Sequence, residues 1–114
     1  MSVARDKSKR FAIRIVNTYR YLCEEQKEFV LSKQLLRSGT SIGANLAEAE
    51  FAFSRKEFLS KMYIALKETS ETKYWLELLV ETDYLTRQQV DSLYADAEEL
   101  SKMLTATTKT IRDN

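Results

Sequence analysis

Acid–base or metal chemistry in this chain would have to rest on its carboxylates and a single thiol. Glu68 and Glu71 are three residues apart, and Glu48 and Glu50 are two apart. A di-metal carboxylate bundle needs Glu-x-x-His pairs, and the chain has no histidine. The same absence removes histidine-dependent nucleophilic triads and histidine-containing zinc sites. Cys23 is the one cysteine, too few for a thiolate cluster and spaced from Val16 and Tyr19 like a small core residue. The sequence therefore predicts no catalytic residue, no metal ligand set and no cofactor, and the expectation is a non-enzyme.

The more informative chemistry is architectural. Residues 34–49 hold both glycines, Gly39 and Gly43. One stripe runs Leu35, Gly39, Ile42, Leu46, Ala49, Phe53; a second runs Gln34, Ser38, Ser41, Asn45, Glu48. At about 100° per residue the two lie roughly a quarter turn apart on one helix. Glycine inside a helix costs about 1 kcal/mol against alanine, so the pair points to close helix contact, inside the monomer or between subunits. It is not a phosphate-cradling loop, since no lysine-serine pair follows and the context is helical. Short polar side chains are poor choices for a solvated helix face. The polar stripe, with Arg37 at its edge, is expected to meet Lys61, Glu68 and Glu71 in a hydrogen-bonded network. That network lies within the bundle or across subunits; a solvated face and an active site are the other readings.

The elements that position these residues follow from composition and period. The chain has 114 residues, no proline and two glycines, which favours long helices joined by short connections. With 44% hydrophobic and 31% charged residues it is a globular rather than a disordered composition. One domain, residues 1–114, is expected. No run of about 18 apolar residues is present for a membrane span, the first ten residues lack a signal-peptide pattern, and a lone cysteine fits a reducing compartment. A cytoplasmic location with no membrane partner is the expectation.

Four segments show helical periodicity. The first covers residues 3–25, with Phe11, Ile15, Tyr19 and Leu22 on one face, and residues 24–30 connect it to the second. Ser32 is the expected cap of the second helix, which is drawn to residue 53. Ser54 and Glu57 form a capping-box pattern that starts the third helix, with Phe58, Met62, Ala65, Thr69, Thr72, Leu76 and Leu79 inward. Residues 82–85 read as a turn. Thr86 and Gln89 form the next capping box, and Val90, Leu93, Ala97, Leu100, Leu104, Thr107 and Ile111 complete the fourth stripe. A repeat averaging 3.5 residues and short connections predict an all-α, antiparallel up-down-up-down four-helix bundle.

The segment Gln34-Leu35, Arg37-Ser38, Ser41-Ile42, Asn45, Ala47-Glu48 resembles the signature of the four-helix-bundle proteins encoded in intervening sequences of bacterial large-subunit (23S) ribosomal RNA genes. Phe58, Ile64-Ala65, Glu71 and Tyr74-Trp75-Leu76 fit the same family. Leu46 and Ala49 stand where that family usually has isoleucine and glycine, and Phe51-Ala52-Phe53 is less polar than its usual loop. The family is similar to the accessory subunit of diversity-generating retroelements, a pentameric ring that works with a reverse transcriptase and RNA. The resemblance implies a homo-oligomer, a pentamer in particular, and a connection to RNA or an RNA-dependent enzyme. It implies no catalytic activity.

Charge admits three readings. The net charge is +1, but residues 1–20 carry +5, through Arg5, Lys7, Lys9, Arg10, Arg14 and Arg20 against Asp6, and residues 81–100 carry −5. These blocks balance inside the monomer, or join neighbouring subunits head to tail, or leave the basic helix for RNA with Tyr19 and Tyr21 nearby. Tyr74 and Trp75 are adjacent, so they cannot share one helical direction, and one of them is a candidate interface anchor.

Overall fold

The computed structural model describes residues 3–114. Four helices, α1 (Val3–Glu24), α2 (Leu31–Ala49), α3 (Arg55–Glu81) and α4 (Arg87–Arg112), form a rod of 47 × 20 × 19 Å. Each helix packs on its neighbours in sequence and α1 closes on α4, leaving α1–α3 and α2–α4 as the diagonals. Cross-helix contacts run in opposite numerical order, which makes every adjacent pair antiparallel. Arg5 meets Glu50 while Cys23 meets Ser32; Lys61 meets Glu48 while Thr72 meets Ser38; Lys73 meets Glu98 while Glu77 meets Tyr94; Lys7 reaches Glu99 while Arg14 reaches Asp96. No helix among the described residues is long and apolar enough to cross a membrane.

The stripes bury as a seam. Ile15, Leu22, Leu35, Ile42, Ala65, Leu76, Leu79, Val90, Leu100 and Leu104 are fully enclosed. All of the α3 stripe from Met62 to Leu79 is buried, including Thr69 and Thr72. Those threonines tolerate the core because each hydroxyl bonds a carbonyl one turn back, Ala65 O and Glu68 O, both at 2.8 Å. Some inward assignments shift, and Phe58 and Ile111 are only half-buried. Tyr19 is half-buried and Thr108, not Thr107, is buried, because residues beside a 3.5-residue seam straddle its midline and the smaller or nearer one enters. Residues 82–85 form the expected turn, and its Leu85 also enters the core.

The helix ends show what local sequence can and cannot signal. α4 starts with a complete capping box: Gln89 N–H donates to the Thr86 hydroxyl at 3.1 Å, and Thr86 N–H donates to Gln89 Oε1 at 2.8 Å. At α3 the Ser54 hydroxyl accepts from Glu57 N–H, but the Glu57 carboxylate takes the N–H of Phe53 rather than that of Ser54. α2 therefore stops at Ala49 instead of running to residue 53, and Phe53, placed in the inward stripe, is 97% exposed. α3 closes through Asp83 at φ 67°, with Tyr84 N–H on Leu79 O and Asp83 N–H on Val80 O, the 6→1 and 5→2 pair that usually employs glycine.

Ser32 does not cap α2. It is buried inside the helix, and the capping group is the carboxylate of Glu28, which accepts from the N–H groups of Ser32 (2.7 Å), Leu31 (2.9 Å) and Val30 (3.1 Å). Burial pushes this carboxyl's pKa up, but the N–H donors of Leu31, Ser32 and Val30 and the Ser32 hydroxyl outweigh it and hold it below the ordinary glutamate value.

Both glycines face α1. A methyl on Gly39 would stand 2.8 Å from Cγ1 and Cγ2 of Ile15, and one on Gly43 would stand 3.2 Å from the Ser8 hydroxyl. Close packing within the monomer is thus the role of the pair. Gly39→Ala gains about 1 kcal/mol of helix propensity but overpacks a branched, enclosed side chain at a cost of about 1–3 kcal/mol. Its urea midpoint should fall, whereas Gly43→Ala, facing a rotatable hydroxyl, should lie closer to the parent. For Glu28, a folded-state pKa below the ordinary value means its stabilisation is complete above that value and is lost as pH falls through the folded one. Unfolding free energy measured against pH should therefore drop on acidification in the parent. Glu28→Gln should lower stability at pH 7 and flatten that acid limb.

Candidate functional site

The surface of α2 and α3 gathers the residues of the family-like segments. Arg37, on the outer side of α2, faces two carboxylates one turn apart on α3. Its Nη1 donates to Glu68 at 3.2 Å and its Nη2 to Glu71 Oε2. Glu71 Oε2 also accepts the indole N–H of Trp75 at 2.9 Å. The spacing explains the arrangement: residues 68, 71 and 75 fall on one helical line, so one guanidinium fork spans the carboxylates while the indole binds from the next turn. Trp75 lies half-buried against the core. Tyr74 packs edge-on to it, ring centroids 5.0 Å apart at 71°, and stays 56% exposed.

Electrostatics follow from these contacts. The Trp75 and Arg37 hydrogen bonds outweigh desolvation and hold the Glu71 carboxyl below its ordinary range. Glu71, ahead of Glu68, raises the guanidinium further above its already high value. Arg37 is nearly half exposed, so solvent screens the cluster and its weight in stability is small. What it fixes is orientation: the half-buried Trp75 is held in one arrangement, and the exposed Tyr74 packs edge-on against it.

Deeper in the same seam, the Ser38 and Thr72 hydroxyls lie 3.0 Å apart, both buried. The Thr72 hydroxyl is shared between Glu68 O on its own helix and the Ser38 hydroxyl across the seam, and Ser38 in turn reaches Leu35 O at 3.4 Å. Lys61 pairs with Glu48 at 2.7 Å. The remaining polar-stripe residues do not reach α3. Ser41 bonds Arg37 O at 2.5 Å and Asn45 bonds Ser41 O at 2.8 Å, both along their own helix, and Gln34 is exposed. The stripe thus makes three separate contacts between α2 and α3 rather than one continuous network.

The basic residues of α1 divide. Arg5 pairs with Glu50 at 2.6 Å, Arg14 with Asp96 at 2.7 Å, and Lys7 with both Asp96 and Glu99. The opposite blocks of α1 and α4 therefore meet within one chain. Lys9, Arg10 and Arg20 make no ion pair among the described residues. Three contacts lay outside the sequence reading. Lys73 pairs with Glu98 at 2.6 Å and sits 5.7 Å from the Tyr94 ring centroid, and the Tyr94 hydroxyl donates to Glu77. Their only signal was opposite charge on facing helices. Among the described residues no group of three His, Cys, Asp or Glu side chains is placed to hold a metal.

Trp75 is the only tryptophan, so its fluorescence reports this cluster alone. Because Glu71 titrates below the ordinary carboxylate range, emission should hold constant through neutral pH and change only on acidification. Glu71→Gln should remove that acid transition while the helical signal persists.

A family model described as 23S rRNA-intervening sequence protein matches residues 2–106. Among solved structures, the crystal structure of a protein with unknown function from the S23 ribosomal protein family of Bacteroides thetaiotaomicron VPI-5482 is similar. The two share 59% sequence identity with a TM-score of 0.93, over 94% of this chain and 99% of that one. No curated protein matches the chain significantly. Neither of the two descriptions names a catalytic activity. With the signature segments lying together on α2 and α3, the chain belongs to the family of 23S rRNA-intervening sequence proteins.

Proposed function

We propose that this protein is a non-enzymatic scaffold or binding subunit of the cytoplasm that self-assembles into a ring-shaped homo-oligomer, a pentamer, with the α2/α3 surface as a subunit contact. The observation that carries this is the exposed Tyr74 set edge-on against a Trp75 whose indole is held by Glu71 and Arg37. Trp, Tyr and Arg are the residue types that anchor interfaces, and an anchor already held in place loses little entropy on binding. A contact between different faces of successive subunits closes into a ring when the rotation permits. The α1 and α4 charge blocks are partly spent within the chain, where Lys7 and Arg14 pair with Asp96 and Glu99.

Light scattering after size exclusion tests this. The parent should elute at a multiple of 13.3 kDa, five-fold for the pentamer, and Tyr74→Glu should elute at the monomer mass with unchanged helicity. A parent that is monomeric at micromolar concentration rejects the proposal.

A second reading, an RNA-binding accessory role with ribosomal RNA fragments or a reverse transcriptase, draws on Lys9, Arg10 and Arg20. These three cations of α1 have no ion pair among the described residues, and the family description carries the name of 23S rRNA. Phosphate contacts make affinity fall with salt, by a log–log slope of about −0.7 per contact on single strands. Binding of a 23S RNA fragment should follow that slope and vanish in the Lys9→Glu/Arg10→Glu/Arg20→Glu variant. Affinity indifferent to salt rules this reading out.

A further inference from the structure

The two ends of the rod differ in charge, and both are apolar at the tip. The end formed by residues 3–10, 48–61 and 102–114 holds ten basic and five acidic side chains. The opposite end, residues 20–33 and 77–91, holds four basic and seven acidic ones. Antiparallel neighbours cancel their helix dipoles pairwise, so this polarity comes from side chains alone. At the basic end Phe51 is 79% exposed beside the still more exposed Phe53, and Val3 is open as well. A mostly apolar cleft of about 260 Å³ opens at the same end, lined by Ala4, Leu46, Ala49, Phe58 and Met62 with Glu50 and Thr107 at its edge. At the acidic end Val30, 71% exposed, and Phe29 project from the α1–α2 connection. That connection is held in place by the three N–H bonds to Glu28.

We propose that these ends are complementary docking surfaces through which copies of this chain stack head to tail, with Phe29 and Val30 of one copy seated on the apolar cleft and the Phe51–Phe53 loop of the next. Charge chooses the occupant. Two basic ends brought together repel, as do two acidic ends, whereas a basic end facing an acidic end attracts and steers the encounter. The apolar tips supply the desolvated centre, and the charged side chains around them form the rim. Such a contact joins different surfaces along the rod axis, so it propagates instead of closing. It is independent of the lateral contact at Tyr74: the repeating unit is a monomer or a ring according to whether that contact forms.

Sedimentation velocity of the full chain from micromolar to millimolar concentration tests the stacking. The parent should grow in mass above its dilute-limit species without reaching a fixed size. Growth should disappear as salt shortens the screening length from about 30 Å to about 3 Å. Phe29→Ser/Val30→Ser and Phe51→Ser/Phe53→Ser change exposed positions, so both should keep the parent's circular dichroism. Each alone should stay at the dilute-limit mass, and an equimolar mixture should regain one end-on contact, because it reunites an intact basic end with an intact acidic one. A parent whose mass does not change with concentration overturns the proposal. So does a mixture that regains nothing, or continued association of either double variant alone, which would mean like ends pair by twofold symmetry.

Discussion

The close approach of α1 and α2 governs the rest of the bundle. Gly39 leaves the space that Ile15 fills, and Gly43 does the same over Ser8. Helical geometry then leaves no freedom to the other residues of α2. With residues 39 and 43 against α1, residues 38 and 48 come to the opposite flank and contact α3, and Arg37 projects beside them. The Ser38–Thr72 contact and the Arg37 fork are therefore consequences of where the glycines point. The helix carries the cost of two flexible residues, and in return Ile15 is fully enclosed.

Charge contributes selection more than stability. Each adjacent pair of helices has its own complementary contact: Arg5–Glu50, Arg37 with Glu68 and Glu71, Lys73–Glu98, and Lys7 and Arg14 with Asp96. These pairs are mostly exposed and individually weak. Together they favour this arrangement of the helices, because a shifted register breaks the pairings. The buried Glu28 cap differs in kind. It anchors the start of α2 with three backbone donors, and a carboxylate left there without them would face the full cost of desolvation.

Much of this was legible before any coordinates. The α3 stripe from Met62 to Leu79 buries as a unit, since its period matches the seam over five turns and leaves one face to choose. The Thr86–Gln89 box was equally readable, because both of its partners lie within one local turn. Phe53 was misread because hydrophobic period cannot register the chain turning away at Ala49, where the decisive groups are the Ser54 hydroxyl and the Phe53 N–H. Ser32 was misread because a serine before an apolar run fits the capping pattern, while Glu28 captures the same donors from outside it. Within the monomer Ser41 and Asn45 bond carbonyls of their own helix rather than α3, for a related reason. A short polar side chain can satisfy itself on the carbonyl one turn back, and sequence spacing does not distinguish that from a contact across the seam.

What the amino-acid sequence determined alone is the set of local commitments: four helices, their apolar faces, two of their starting caps, and the absence of histidine that removes whole classes of chemistry. These depend on neighbours within a turn or two, where spacing equals geometry. Tertiary structure alone decided which faces meet. It turned the glycines toward α1, paired the basic helix with the acidic one inside a single chain, and left Tyr74 outside while drawing Trp75 in. It also gathered opposite charge at the two ends of the rod from segments far apart in sequence. The physical reason is that burial and Coulomb interactions act through space, and only packing sets the distances on which they depend.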